Sequence, residues 1–250
     1  MNTLERINIL GVPVHKVDMN EALNASSNFF DRDKKSVIVT PNSEIVMMAK
    51  DDEKFLNIIK EADLVIPDGI GLVIASKIIK NPLTERVTGI DLMENILNYC
   101  NENNKSIFIL GGKPGVADKA VENIVKKYPN IKNSGAHHGY FKGHHIGHEG
   151  HDEEKEVIRK INEIKPDILF VAFGAPKQEL WIQRYKDEVD TSVFMGVGGS
   201  VDVYAGEVKR APEVYQKFGL EWFYRLVKEP WRYKRMMLLP KFIVQVIVKK

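Results

Sequence analysis

Short apolar runs alternate with segments of helical periodicity along most of the chain, and this alternation limits the fold more than any other feature of the sequence. The runs have the length of single strands, and the longer segments between them repeat apolar residues every three or four positions. Strands that alternate with helices predict an α/β fold, a mostly parallel sheet covered by helices on both faces. The predicted strands are INIL (7–10), SVIVT (36–40), LVI (64–66), SIFIL (106–110), DILFVAF (167–173) and SVFMGV (192–197). The predicted helical segments are SEIVMMAKDDEKFLNIIKEA (43–62, two short helices), GLVIASKII (71–79), IDLMENILNYCNEN (90–103), GVADKAVENIVKKY (115–128) and EEKEVIRKINEI (153–164).

Length and composition indicate a globular protein with a substantial core. The 250 residues, 44% of them hydrophobic, suffice for one large domain or for a domain with an appendage. Because Cys100 is the only cysteine, a disulfide framework within the chain is excluded, which fits a reducing compartment. The first residues contain no apolar run of signal-peptide length, and no stretch reaches the roughly 18 apolar residues of a membrane-spanning helix. We therefore expect a cytoplasmic protein.

Positive charge is concentrated at the C-terminal end. Residues 209–250 contain eleven Lys and Arg against three Glu, a net charge of +8, and since the whole chain carries +2, residues 1–208 carry −6. We therefore expect a body, residues 1–208, that folds without a basic appendage, residues 209–250. A basic appendage predicts an anionic partner, which could be a membrane, a nucleic acid or a phosphorylated ligand.

Apolar residues recur at helical spacing within the appendage and predict an amphipathic helix that ends at Pro230. Aromatic side chains beside Arg and Lys, together with a second apolar run at 242–248, favour a helix that lies in a membrane interface. The alternative is a helix that packs on the core or on a second copy of the chain. Nucleic-acid binding is disfavoured, because the body is acidic and no recognition module is visible. The apolar helix residues are Val214, Phe218, Trp222, Phe223, Leu226 and Val227.

Five loops that follow predicted strands combine Gly or Pro with polar groups. The carboxyl ends of parallel strands meet at one edge of the sheet, and ligands of such sheets bind beyond that edge. Glycine lets the backbone come close to a ligand, so the five loops predict a pocket there. The loops are PNSE (41–44), PDGIG (67–71), GGKPG (111–115), GAPKQE (174–179) and GGSVD (198–202).

Asp68 follows the buried run LVI and lies beside Gly69. One hypothesis is a carboxylate that faces the pocket as a general base. The alternative is a turn residue that caps the next helix.

The loop Gly111–Gly115 allows two interpretations as well. Its amides and the following helix could hold a phosphate, with Lys113 adding charge, or it could be a tight turn. No GxGxxG fingerprint follows the first strand, which disfavours a nicotinamide-dependent enzyme.

Six of the seven histidines fall within residues 137–151, the most metal-like cluster of the sequence. The cluster lacks HExxH order, and the acidic string DRD (31–33) lies in a polar loop ahead of a strand. We therefore expect no physiological metal.

Taken together and in order, the loop motifs resemble the WecG/TagA/CpsF glycosyltransferases over nearly the whole chain. The segment 142–151 is longer and richer in His than that family leads us to expect. The matching stretches are TPNSE (40–44), ADLVIPDGIG (62–71), ERVTGIDL (85–92), FILGGKPGVADKA (108–120), HHGYF (137–141), FGAPKQE (173–179), GVGGSVDVYAGEVKRAP (196–212) and GLEWFYRLVKEPWRYKR (219–235).

The resemblance implies a Rossmann-like transferase with a C-terminal helical appendage that targets the inner face of the cell membrane. It implies inverting, metal- and cofactor-independent transfer of N-acetylmannosamine from its UDP donor to undecaprenyl-diphosphate-linked N-acetylglucosamine. The product that the resemblance implies is β-1,4-linked, the linkage-unit disaccharide lipid of wall teichoic acid. Donors that relatives use instead, UDP-N-acetylmannosaminuronic acid and UDP-glucose, stay open, as do a homo-oligomer and a non-catalytic nucleotide-binding module.

The resemblance also implies roles for individual residues. Asp68 is the expected catalytic base, since a carboxylate beside the anomeric carbon can accept the proton of the acceptor hydroxyl. The expected substrate-binding residues are Thr40, Asn42, Arg86, Gln178, Arg225, Arg232 and Arg235, the last three meeting a diphosphate. The expected nucleotide-binding residues are Gly111, Gly112, Lys113, Gly174, Gly198 and Gly199.

Overall fold

A parallel sheet forms the centre of the computed structural model, which describes residues 4–228, 230, 233 and 237–249. The strands of this part of the chain are β1 (Arg6–Ile9), β2 (Val12–His15), β3 (Ser36–Val39), β4 (Leu64–Val65), β5 (Ser106–Gly111), β6 (Lys132–His137), β7 (Ile168–Ala172) and β8 (Val193–Gly196). Six of them pair in the order β4-β3-β8-β7-β5-β6, and every pair is parallel. The predicted α/β architecture is therefore confirmed.

Helices cover both faces of the sheet. They are α1 (Met19–Ser27), α2 (Ser43–Asp51), α3 (Glu53–Glu61), α4 (Ile70–Ile78), α5 (Gly89–Glu102), α6 (Val116–Lys127), α7 (Asp152–Ile164), α8 (Lys177–Tyr185), α9 (Ser200–Tyr204), α10 (Glu213–Lys217), α11 (Glu221–Lys228) and α12 (Leu238–Val248), with 3₁₀ turns at Asn28–Asp31 and His144–Ile146. Alternate residues of β5 enter opposite cores: Ile107 and Ile109 pack with α1, α5 and α6, whereas Phe108 and Leu110 pack with α7 and α8.

Two strands, β2 and β6, were not predicted, and the first predicted strand lies outside the central sheet. β1 pairs antiparallel with β2 across a two-residue turn in which both Leu10 and Gly11 have positive φ. β2 carries Pro13, and β6 is a polar edge strand, so neither shows the apolar pattern of a buried strand. The hairpin packs through Val12 and Val14 into the core that also holds Phe55.

The single helix predicted over 214–230 is wrong, because the chain breaks at Gly219. Gly219 has φ +68, its N–H donates to the carbonyl of Gln216, and the N–H of Leu220 donates to the carbonyl of Tyr215 at 2.7 Å. This pair of bonds is a Schellman motif, which ends α10 before α11 begins. A Cβ at Gly219 would lie 3.0 Å from the side chain of Ile70, so the turn also brings the backbone against α4.

The last apolar run forms α12, which packs on α2 and α4 of the body. Phe242 and Val246 are buried in the same core as Leu72, whereas Val244 and Ile247 are more than half exposed. The packed-helix interpretation therefore holds for the inner face of this run. The boundary between residues 208 and 209 stays a prediction, and within the described part of the chain no helix has the length and apolarity to cross a bilayer.

Candidate active site

A cavity of about 340 Å³ opens beyond the carboxyl ends of four neighbouring strands, β4, β3, β8 and β7. The loops after these strands form its floor, and residues of α11 and α12 form part of its wall. The structure therefore brings most of the predicted site residues together. Those that line the cavity are Thr40, Asn42, Asp68, Arg86, Gly174, Gln178, Gly198, Gly199 and Arg225.

Three of the remaining predicted residues, Gly111, Gly112 and Lys113, do not line this cavity. Gly111 and Gly112 pack tightly against β7: a Cβ at Gly111 would lie 2.6 Å from the backbone of Ala172, and the Gly112 N–H donates to the Ala172 carbonyl. This geometry is that of a tight turn, and the nucleotide-binding role of Gly111, Gly112 and Lys113 stays a prediction. Arg232 and Arg235 lie outside the described residues.

Asp68 is held at the cavity by backbone bonds between two loops. The N–H of Ile66 donates to the carbonyl of Val39 at 3.0 Å, and the N–H of Asp68 donates to the carbonyl of Pro41 at 3.1 Å. The N-cap of α4 is Gly69, with φ +109 and no capping side chain. Asp68 therefore does not cap the helix, and its carboxylate is left to face the cavity that it lines.

The surroundings of Asp68 raise its pKa to about 6. Burial is the largest cause, because it disfavours the charged form. A hydrogen bond from the backbone of Gly89 opposes this shift, the negative charge of Glu221 adds to it, and the positive charges of Arg86 and Arg225 oppose it. The carboxylate is thus mostly ionised at neutral pH and is a stronger base than an exposed aspartate.

Arg86 joins the body to the appendage. Its Nη1 lies 3.1 Å from Oε2 of Glu221, and its Nη2 donates to the carbonyl of Gln216 at 2.9 Å. Arg210 approaches the other oxygen of Glu221 at 3.6 Å and forms a two-pronged ion pair with Asp91. Glu221 therefore holds two arginines beside the cavity, and α11 is fixed on the body through them.

Thr40 and Asn42 each use one polar atom to build the cavity floor. The Thr40 hydroxyl donates to the carbonyl of Gly196 at 3.3 Å, which links β3 to β8. The Asn42 carbonyl oxygen accepts from the N–H groups of Glu44 and Ile45 and so caps α2. The NH₂ group of Asn42 is the part of that side chain available to a ligand.

Three of the residues that α11 and α12 contribute to the cavity wall are absent from the predicted site. Trp222 belongs to the predicted apolar helix stripe, yet it lines the cavity three residues from Arg225, one turn away on the same helix. Glu221 and Leu239 line it too. The three-residue spacing from the predicted site residue Arg225 could have indicated that Trp222 also faces the cavity. No pattern in the neighbouring sequence indicated that Glu221 or Leu239 would line it.

The His-rich segment forms a separate, internally bonded layer. His145 stacks on Phe173 with ring centroids 4.2 Å apart, and its Nε2 lies 2.9 Å from the carbonyl oxygen of Gly139. The buried carboxylate of Glu154 accepts from the N–H groups of His144 and Gly150. Among the described residues, no group of three or more His, Cys, Asp or Glu is placed to hold a metal ion.

The chain is similar to known glycosyltransferases along nearly its whole length. The Glycosyl transferase WecG/TagA/CpsF family matches residues 7–250. An N-acetylglucosaminyldiphosphoundecaprenol N-acetyl-beta-D-mannosaminyltransferase of Bacillus subtilis (strain 168) is 37% identical over 220 residues, which cover 88% of this chain and 82% of the relative. A protein of the same name from Staphylococcus aureus (strain MW2) is 35% identical over 247 residues, 98% of this chain and 93% of the relative.

Proposed function

Because the chain belongs to the WecG/TagA/CpsF family of glycosyltransferases, we propose that it transfers N-acetylmannosamine from UDP-N-acetylmannosamine to undecaprenyl-diphosphate-linked N-acetylglucosamine. The names of the Bacillus and Staphylococcus relatives support this choice of acceptor and sugar. The observation that carries the proposal is the cavity itself, in which Asp68, with its pKa raised to about 6, lies near the positive charges of Arg86 and Arg225.

The proposed reaction is a single displacement at the anomeric carbon of the donor. The 4-hydroxyl oxygen of the acceptor sugar forms the new bond, and its proton passes to the carboxylate of Asp68. The bond between the anomeric carbon and the UDP oxygen breaks, and UDP leaves with the electron pair. Attack from the side opposite the leaving group inverts the configuration and gives the β-1,4 linkage.

Cationic side chains and backbone amides would stabilise the departing diphosphate. Arg86 and Arg225 line the cavity, and the glycine loops at Gly174 and Gly198 bring backbone close to the same space. Arg232 and Arg235, outside the described part, are proposed to add charge at the lipid diphosphate. No metal ion enters the proposal, since arginine side chains can carry this task.

The exposed side of the appendage suits a membrane surface. Val214, Phe218, Phe223 and Val227 are each exposed, Phe218 to 72%. Lys and Arg accompany them in a segment of net charge +8. We propose that this apolar and basic side docks the enzyme on the inner face of the membrane, where a lipid-linked acceptor is found.

Product analysis with a panel of donors tests the proposal. The protein is incubated with a short-chain lipid-diphosphate-linked N-acetylglucosamine and, separately, with UDP-N-acetylmannosamine, UDP-N-acetylmannosaminuronic acid and UDP-glucose, each with and without a chelator. Mass spectrometry is expected to show one added N-acetylhexosamine, only with the first donor and equally with the chelator. Addition of a uronic acid or of glucose would identify another donor, and no product from any donor would favour a non-catalytic nucleotide-binding module.

A further inference from the structure

Glu179 is a buried carboxylic acid that the proposed reaction does not use, and it is bonded to the cavity residue Gln178. Only 2% of the residue is exposed. One oxygen accepts a hydrogen bond from Nε2 of Gln178 at 2.8 Å, and the other, Oε2, has no hydrogen-bond partner among the described residues. A buried carboxyl group that is only half bonded costs stability, so packing alone does not account for its presence.

The partner of Glu179 connects two loops of the cavity. The side-chain carbonyl oxygen of Gln178 accepts from the N–H of Gly174 at 3.1 Å and from the N–H of Gly198 at 3.2 Å. Both glycines line the cavity and have positive φ. The two bonds use both lone pairs of the oxygen, so Gln178 has at most one N–H left for a ligand.

The orientation of the Gln178 amide follows from these partners. The reverse orientation would direct the NH₂ group at two N–H donors and the carbonyl oxygen at the carboxyl group of Glu179. The amide also packs directly on the end of β8, where a Cβ at Gly196 would lie 2.5 Å from Nε2. Glu179 and the two glycine N–H groups therefore select the same orientation, and Glu179 is the side chain that holds the NH₂ end of the amide.

We propose that Glu179 is a positioning residue: by accepting the hydrogen bond of the Gln178 amide, it keeps the loops at Gly174 and Gly198 joined through the Gln178 carbonyl. The inference rests on the proposed function, in which these loops lie at the nucleotide diphosphate. We call the Gln178 link between the two loops the clamp. Without it the loops would shift and misplace their remaining backbone N–H groups at the leaving group, so loss of the clamp lowers turnover.

Both protonation states of Glu179 can fill this role. Burial raises its pKa to about 7, and the hydrogen bond from Gln178 opposes that shift. Because a neutral side chain with a carbonyl oxygen still accepts from Nε2, Glu179→Gln should keep the clamp. Glu179→Met keeps the approximate size and removes the acceptor.

Amide hydrogen exchange without substrate tests the clamp independently of catalysis. In Glu179→Met we expect exchange at Gly174 and Gly198 to rise at least about tenfold, because the Gln178 oxygen no longer holds their N–H groups. Donor kcat/KM should fall at least about tenfold. Glu179→Gln should stay within about threefold of wild type in both measurements. The exposed Glu156→Met on α7 is the matched control and should change neither.

The thermal midpoint separates this role from a structural one. Glu179→Met removes a half-bonded buried acid but also leaves the Gln178 NH₂ group without its acceptor. These two effects oppose each other, so its Tm should stay close to that of wild type while activity falls. Unchanged exchange at both glycines in Glu179→Met, or loss of the clamp in Glu179→Gln, would overturn the proposal. If Glu179→Met does not fold, the test rests on hydrogen exchange and kcat/KM of Glu179→Gln, and a loss of either would overturn the proposal. A wild-type protein that transfers none of the donor sugars leaves the exchange result valid, so the two proposals fail separately.

Discussion

Asp68 is a base whose strength is set by its neighbours, and this gives the reaction a defined pH dependence. Asp68 accepts a proton only when ionised, so kcat/KM should rise with pH through a midpoint near 6 and level off above it. An exposed aspartate, with a pKa of about 3.9, would give a level profile over that range. The measurement is kcat/KM for the donor from about pH 4.5 to 8.

Glu221 should contribute to this midpoint. Its negative charge raises the pKa of Asp68, so Glu221→Gln should move the midpoint to lower pH. The exposed Glu213→Gln on α10 is the control and should leave it in place. A wild-type midpoint of about 4, or the same midpoint in Glu221→Gln and wild type, would contradict this account of the carboxylate.

Sequence analysis could identify site residues that are marked by a pattern within a short stretch of the chain. Asp68 follows an apolar strand and precedes a glycine, and this pattern is visible in one short stretch. Glu221 pairs with Arg86, which lies far from it along the chain but near it in space. The bonds of Gln178 to two backbone N–H groups were equally hidden, because no pattern of side-chain types records them.

At the scale of elements, periodicity found most helices but could not find where the appendage turns. Apolar spacing continues across Gly219, so it predicted one helix, whereas the Schellman motif at Gly219 gives two. The glycine itself was the available signal. The hairpin of β1 and β2 and the polar edge strand β6 were missed, because pairing rather than composition holds them in place.

Helix α12 should be part of the folding unit. Phe242 is fully buried, so Phe242→Ala should lower the free energy of unfolding by about 3–5 kcal/mol. Val244→Ala on the exposed side of the same helix should change it by less than about 0.5 kcal/mol. Urea unfolding measures both values.

Equal effects in the two variants would place α12 outside the core. A truncation before Val214 would remove Phe242 and Val246 from the core. We therefore expect the body to be less stable, rather than unaffected, when residues 209–250 are removed. Point substitutions on the exposed side therefore test the appendage more cleanly than truncation does.

At the scale of the whole molecule, the appendage should make binding to anionic vesicles dependent on salt. Each Lys or Arg near such a surface contributes roughly 1 kcal/mol, and this contribution falls as salt screens it. Co-sedimentation with vesicles that contain anionic lipid should show weaker binding as salt rises. Replacing Phe218 and Phe223 with Ser should weaken it further, whereas Tyr140→Ser, exposed on the body, should not. If vesicle binding changed neither with salt nor with the double substitution, another surface of the protein would be the one that contacts the membrane.

The central claim is that Asp68 takes the proton of the acceptor in an intact cavity, and one comparison of variants tests it most directly. Turnover of lipid-linked acceptor and binding of UDP are measured for wild type, for Asp68→Asn and for the exposed control Asp33→Asn. We predict that Asp68→Asn loses about 10² or more in turnover, the scale of a lost general base, while its affinity for UDP stays within about threefold of wild type. An Asp68→Asn protein that keeps more than half of the wild-type turnover would contradict the account.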